Sequence, residues 1–216
     1  MTILRLFLIF FLVSGGLAPA NASDSQSLEL TVLAAVESRY DGRSFSAEFV
    51  QTSTLTALDI SETATGKAWF SHPGKMKWQY LSPERHDIIT DGTTLWIFRP
   101  DENQVMQGDA AQFFQSGAGG AFLSDISLIR KNHTVSVTEV KEDWIELLLE
   151  DSTGNPDIHS IIIRASRPDF HIFSVTTVNA VGDTTRFDLS NIQFQPMPDD
   201  LFDFTVPSGV SIIEMN

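Results

Sequence analysis

From residue 45 onward the chain is a succession of short segments in which apolar and polar residues alternate, and nearly every segment ends at a glycine, proline or aspartate turn. Alternation with a period of two is the pattern of a β-strand with one buried face. Asp91-Gly92, between His86–Thr90 and Thr93–Phe98, is the strongest short hairpin signal in the sequence. We count ten or eleven such segments with antiparallel spacing, the last two over Thr184–Ile192 and around Phe202–Val206. The chain is therefore predicted to be mainly β and to form one strongly curved or nearly closed sheet.

Two segments depart from this pattern. Asp24 and Ser25 are predicted N-caps of a helix that ends near Tyr40, before Asp41-Gly42. Its apolar stripe consists of Leu28, Val32, Val36 and Tyr40. The second segment, residues 109–129, places bulky apolar residues on either side of Gly117–Gly120, and we interpret it as two short helices hinged by the glycines.

The N-terminus resembles a secretory signal peptide, predicted to cover residues 1–22. Arg5 supplies the positive charge, Leu6–Val13 the apolar run, and Ala20-Asn21-Ala22 the cleavage signal. The alternative is an uncleaved membrane anchor, for which the apolar run is too short. We therefore expect an exported, soluble protein with a single domain over residues 23–216. The absence of cysteine favours a bacterial periplasm over an extracellular fluid.

Composition and motifs exclude several functional classes. The chain has 14 Lys and Arg against 28 Asp and Glu, a formal net charge of −14, which argues against nucleic-acid binding. Without cysteine it has no thiol nucleophile and no Cys-ligated metal. The five histidines are isolated, and we find no zinc-protease, nucleophile-elbow, P-loop or dinucleotide-binding motif. We predict no enzyme activity, cofactor or metal.

The informative feature is the number of large apolar side chains on the predicted strands. The chain has 16 Phe and only 2 Tyr. Plain core packing is one interpretation. The other is a concave face that binds acyl chains, which need burial without fixed hydrogen bonds. The predicted lining is Phe45, Phe49, Phe70, Met76, Trp78, Tyr80, Ile88, Trp96 and Phe98.

Several stretches together resemble a known family. They are GKAWFSHPGKMKWQY at 66–80, ITDGTTLWIF at 89–98, FSAEFVQ at 45–51 and LFDFTVPSGV at 201–210. These stretches are similar to those of the LolA family, periplasmic carriers that take lipoproteins from the inner to the outer membrane. The resemblance implies an incomplete, half-open antiparallel β-barrel with an N-terminal helix and short lid helices.

The resemblance also implies a function and partners. The chain would be a monomeric periplasmic chaperone for acylated lipoproteins. It would receive them from an inner-membrane lipoprotein-releasing ABC transporter and deliver them to an outer-membrane lipoprotein receptor. The implied lid residues are Phe113, Phe114, Phe122, Leu123, Ile126 and His72. His72 is a departure, because family members carry an arginine before the turn proline, where it tethers the lid. Histidine is shorter and has fewer donors.

Three other functions are weighed against the carrier. LolA-like barrels also occur as periplasmic sensors of lipids or lipoproteins, but those usually have an added interaction domain, and this chain ends soon after the predicted barrel. A carrier of a specialised glycolipid fits the same fold. A periplasmic hydrolase of lipid or glycan has no residue constellation to support it.

Overall fold

The structure, a computed structural model, describes residues 22–115, 123–124, 126–154 and 157–215. Within these residues the α-helices are α1 (Ala22–Tyr40), α2 (Ala110–Gln115) and α3 (Ser127–Asn132). The strands are β1 (Ser44–Leu55), β2 (Ile60–Ser71), β3 (Lys75–Ser82), β4 (His86–Thr90), β5 (Thr94–Arg99), β6 (Gln104–Asp109), β7 (His133–Val140), β8 (Trp144–Asp151), β9 (Ser160–Ser166), β10 (Ile172–Val178), β11 (Thr184–Phe194) and β12 (Ser211–Glu214). The predicted signal peptide lies outside the described residues except for Ala22, the first residue of α1.

The twelve strands form one sheet in the order β12-β6-β5-β4-β3-β2-β1-β11-β10-β9-β8-β7. Strands β1 to β6 form one antiparallel meander and β7 to β11 a second, and the two meanders join where β1 pairs with β11. The sheet is open, with β12 and β7 at its two edges. The predicted fold class is confirmed, with twelve strands in place of ten or eleven.

The C-terminal strand differs from the prediction. We expected a last strand over Phe202–Val206, but the last strand is β12, which pairs with β6 in parallel. The segment before β12 packs on the sheet through its side chains and does not pair with a strand. Phe202 is fully buried, and the Phe204 ring lies 5.4 Å from that of Phe98. An ion pair of 2.8 Å between Lys75 and Asp199 also ties this segment to β3.

The two faces of the sheet are defined by its register. Phe45, Phe70 and Met76 lie opposite one another on β1, β2 and β3, and we call the face that carries them the inner face. The hydrophobic core lies on it, and α1 covers it with Val32, Val36 and Tyr40. Leu28, which we expected in the same stripe, is exposed. In the part of the chain that the structure describes, no helix combines the length and apolarity needed to cross a bilayer.

The β6–β7 segment, residues 110–132, connects opposite sides of the open sheet. Strand β6 is next to the β12 edge, and β7 is the other edge. The segment contains two short helices, α2 and α3, but α3 ends at Asn132, three residues beyond the range 109–129 in which both were predicted. Ile129 of α3 is fully buried in the same core as α1, so α3 packs on the inner face.

Candidate functional site

The centre of the inner face is an aromatic surface. Of the nine predicted lining residues, six are buried in the core, namely Phe45, Phe49, Phe70, Met76, Trp78 and Tyr80, and Ile88 packs against them half-buried. Their rings touch edge-to-face or stacked: Phe45 and Phe70 have centroids 4.6 Å apart, and Phe49 and Trp78 4.9 Å apart. Such pairs are stabilised beyond the burial of their area. The structure therefore brings seven of the nine side chains together.

The structure places Trp96 and Phe98 on the other face of the sheet, which corrects their predicted place in the lining. Ile97, between them, lies opposite Ile88 and joins the inner-face core. Side chains alternate along a strand, so Trp96 and Phe98 point outward. There both rings pack against Phe204, at 6.0 and 5.4 Å.

Sequence reasoning missed Phe187, a central member of this surface. Its ring lies 4.9 Å from that of Trp78 and 6.0 Å from that of Phe49. Phe187 lies on β11, which follows β1 in the sheet but is far from it in sequence. The alternation within the predicted strand 184–192 is the signal that could have identified it.

A glycine makes room for the aromatic surface. A Cβ atom at Gly66 would lie 2.7 Å from the Phe49 ring and 2.1 Å from the backbone oxygen of Gln79. The register also shifts between Thr65 and Gly66, where β2 pairs with β3. Phe49 thus packs directly onto the backbone of the neighbouring strand, which only glycine permits.

The described residues of the β6–β7 segment cover one end of the aromatic surface. Leu123 and Ile126 are buried in the core, and Phe113 and Phe114 pack against it half-buried. The backbone N–H of Gly74, in the β2–β3 turn, donates to the carbonyl oxygen of Ser124 at 2.9 Å. Four of the predicted lid residues are therefore on the inner face, while Phe122 and the predicted glycine hinge lie outside the described residues.

His72 lies next to this contact. It is half-buried in the β2–β3 turn, and its ring is stacked on that of Phe45 with centroids 6.4 Å apart. The turn that it begins is the one in which Gly74 binds Ser124. The position thus touches both the aromatic surface and the turn that holds the β6–β7 segment.

A polar cleft of about 570 Å³ opens at the opposite end of the sheet. It is lined by Gln51, Ser53, Glu62, Thr63, Ala64, Tyr80, Pro83, Glu84 and His86. The Tyr80 hydroxyl donates to Gln51 Oε1 at 2.7 Å, and the His86 ring stacks on Tyr80 at 4.1 Å. Burial raises the pKa of Tyr80, so its hydroxyl stays protonated and able to donate. Across the described ranges no three His, Asp or Glu side chains converge as they would around a metal ion.

Comparison with known proteins settles the family. The model of the family described as "Outer membrane lipoprotein carrier protein LolA" matches residues 41–205. The chain belongs to the LolA family. The resemblance seen in the sequence is therefore confirmed, and it covers the two meanders and the β6–β7 segment.

LolA-family relatives named outer-membrane lipoprotein carrier protein match most of the chain. The protein of Psychromonas ingrahamii is 26% identical over 174 residues, which cover 77% of this chain and 78% of that protein. That of Bordetella avium is 26% identical over 175 residues, with 80% and 82% covered. That of Yersinia pestis is 27% identical over 173 residues, with 78% and 81% covered.

Solved structures support the fold alone. An uncharacterized conserved protein of Thermus thermophilus superposes with a TM-score of 0.56 at 10% identity, covering 86% of this chain and 98% of that one. MucB superposes with a TM-score of 0.51 at 14% identity, covering 85% of this chain and 64% of that one. The LolA-type open sheet is thus shared by proteins of widely different sequence.

Proposed function

We propose that this chain is a periplasmic carrier that binds the acyl chains of lipoproteins on its inner face and delivers them to the outer membrane. The observation that carries the proposal is the aromatic surface around Phe49, Trp78 and Phe187, covered by helices and the β6–β7 segment. Family membership supports it, since the family is described as an outer-membrane lipoprotein carrier. Large apolar side chains without fixed polar partners suit an acyl chain.

Binding and release depend on two competing ways of covering the same surface. Burying each CH₂ of an acyl chain contributes about 0.8 kcal/mol, so several long chains would bind almost irreversibly to a preformed cavity. Here Leu123 and Ile126 already cover the aromatic surface. Displacing each of them costs about 1.5–3 kcal/mol, which lowers the net affinity for the cargo into a range that permits exchange.

We assign the cover to Phe113, Phe114, Phe122, Leu123 and Ile126, with His72 beside them. The contact between Gly74 N–H and the Ser124 carbonyl oxygen supports this assignment for the described residues. His72 stacks on Phe45, so cargo that reaches Phe45 changes the surroundings of His72 as well as those of the segment.

The cellular setting is part of the proposal. Residues 1–22 act as a cleaved signal peptide, and residues 23–216 work as a monomeric carrier. It receives lipoproteins from an inner-membrane ABC transporter and delivers them to an outer-membrane receptor. The formal net charge of −14 supports a carrier that stays in solution, since anionic headgroups repel an acidic protein.

A displacement experiment tests the proposal. Residues 23–216 are loaded with an apolar dye that fluoresces only when buried, and a triacylated lipopeptide is added. We expect stoichiometric loss of dye fluorescence, and no loss with the same peptide lacking its acyl chains. Equal displacement by the unacylated peptide, or no displacement by the lipopeptide, contradicts the proposed function.

A further inference from the structure

One row of side chains crosses seven strands of the inner face. Each member lies directly opposite the next in the strand register, from β1 to the edge strand β12. The row consists of Ala47, Ala68, Trp78, Ile88, Ile97, Met106 and Ile213. All seven are apolar, so the row is a continuous apolar track from the centre of the core to the open edge of the sheet.

Burial falls along this row toward the edge. Ala47, Ala68 and Trp78 are buried, the next three members are half-buried, and Ile213 is 44% exposed. Exposed apolar area is unfavourable in water. The outer half of the row is therefore an apolar surface that the described residues of the chain leave partly uncovered.

Polar side chains bound the apolar row on the side of the polar cleft. They lie two residues along each strand from the row, opposite one another on β5, β6 and β12, and they are Arg99, Gln104 and Ser211. On the other side, Met215 packs over Gly108. Side chains two residues apart on a strand are about 6.6 Å apart, so the track is about as wide as one hydrocarbon chain.

We propose that this row is the subsite of one saturated acyl chain, which lies across the strands and enters at the β12 edge. Strands lie about 4.8 Å apart, so the four steps from Trp78 to Ile213 span about 19 Å. In an extended zigzag chain each carbon–carbon bond of about 1.5 Å advances about 1.25 Å along the axis, so a chain of about 16 carbons has that length. Met106 adds a side chain that adapts to the shape of its contact. The inference rests on the proposed function and names the path that cargo takes.

The sheet edge offers a matched control. Ile212 and Ile213 are neighbours on β12 and are 52% and 44% exposed, but they point to opposite faces. The natural sequence has no cysteine, so a single introduced cysteine is labelled uniquely. We would attach a polarity-sensitive fluorophore to Ile213→Cys, Ile97→Cys and Ile212→Cys and add a triacylated lipopeptide.

The fluorescence emission of the labels at positions 213 and 97 should shift to shorter wavelength, and their quenching by iodide should fall several-fold. The label at position 212 should show neither change. As a second measurement, Ile213→Gln should weaken lipopeptide binding several-fold and Ile212→Gln should not. Both sites are exposed, so neither substitution disturbs the core.

Binding itself is followed separately by dye displacement. If the lipopeptide displaces the dye but the labels at 213 and 97 are unchanged, or the label at 212 changes equally, the edge subsite is wrong while the carrier function stands. If the lipopeptide displaces no dye, the carrier function fails and the subsite fails with it.

Discussion

At the scale of single residues, Gly66 tests how tightly the aromatic surface is packed. A methyl group there meets the Gln79 carbonyl oxygen at 2.1 Å and the Phe49 ring at 2.7 Å, and the carbonyl belongs to a paired strand that cannot easily move. We expect Gly66→Ala to lower the free energy of unfolding by about 1–3 kcal/mol, as overpacked cores do. Urea unfolding of residues 23–216 measures it.

Gly108→Ala is the matched comparison. Its added Cβ meets the Met215 side chain, at 2.9 Å from Cε and 3.1 Å from Cβ. The flexible Met215 side chain can rotate away. Gly108→Ala should therefore lower the free energy of unfolding clearly less than Gly66→Ala does. Equal losses in the two variants would show that the backbone of β3 yields as easily as a methionine side chain.

We expect His171 to make the stability of the fold depend on pH. The pKa of His171 is lowered, mainly by burial and to a smaller extent by the charge of Arg39, while the charge of Asp169 raises it. The folded protein thus holds this proton less tightly than the unfolded chain. The contribution of His171 to the free energy of unfolding is constant well above the ordinary histidine pKa of about 6.5. It falls as the pH drops below that value.

His171→Gln should flatten the decline in unfolding free energy between pH 7 and pH 5, followed by urea unfolding at each pH. His159→Gln, at an exposed position, serves as the control and should leave the decline unchanged. An identical pH profile for wild type and His171→Gln rules out this account.

At the scale of elements, one hydroxyl links α1 to the second meander. The backbone N–H of Ile172, at the start of β10, donates to the Tyr40 hydroxyl oxygen at 2.7 Å, and both residues are fully buried. Tyr40→Phe leaves that N–H without its acceptor. We expect a loss of about 1–3 kcal/mol in unfolding free energy and faster amide exchange at Ile172.

Tyr80→Phe is the control for Tyr40→Phe. It also removes a tyrosine hydroxyl, but not the one that accepts from Ile172. Tyr80 donates to Gln51, which lines the polar cleft, so water can take its place. The Tyr80 variant should lose less stability than the Tyr40 variant and leave exchange at Ile172 unchanged. A larger loss at Tyr80 contradicts the assigned role of the α1 contact.

The sequence predicts elements where side chains alternate and fails where they do not. The predicted bounds of β4, His86–Thr90, match the structure, because a turn lies on each side. In β5, Leu95 to Phe98 are all apolar, so the sequence cannot indicate which pair points inward, and the register with Ile88 decides it. Strand β12 escaped prediction because its parallel partner β6 lies about a hundred residues earlier.

The site shows the same division. Aromatic loading identified most of the inner face, since Phe45 and Trp78 each lie between two polar residues and Phe49 follows Glu48. Phe187 and the row that ends at Ile213 depend on pairings between distant strands, β1 with β11 and β6 with β12. No local pattern encodes those pairings.

At the scale of the whole molecule, charge should govern contact with membranes. Residues 23–216 exclude Arg5 and keep every acidic residue, which makes the net charge one unit more negative than −14. We expect no cosedimentation with vesicles containing anionic lipid at low salt, where repulsion is least screened. Neutral vesicles are the control, and stronger binding to the anionic ones would contradict this prediction.

The joining of the two meanders at β1 and β11 also sets the order in which the chain can fold. Phe45 pairs with Phe194, 149 positions later, whereas the pairs within each meander are close in sequence. Closing so long a loop costs entropy before any contact compensates for it, so the two meanders should form first and meet last. Until they meet, β1 and β11 are both unpaired edges, and the half-folded chain is most prone to aggregate at that seam.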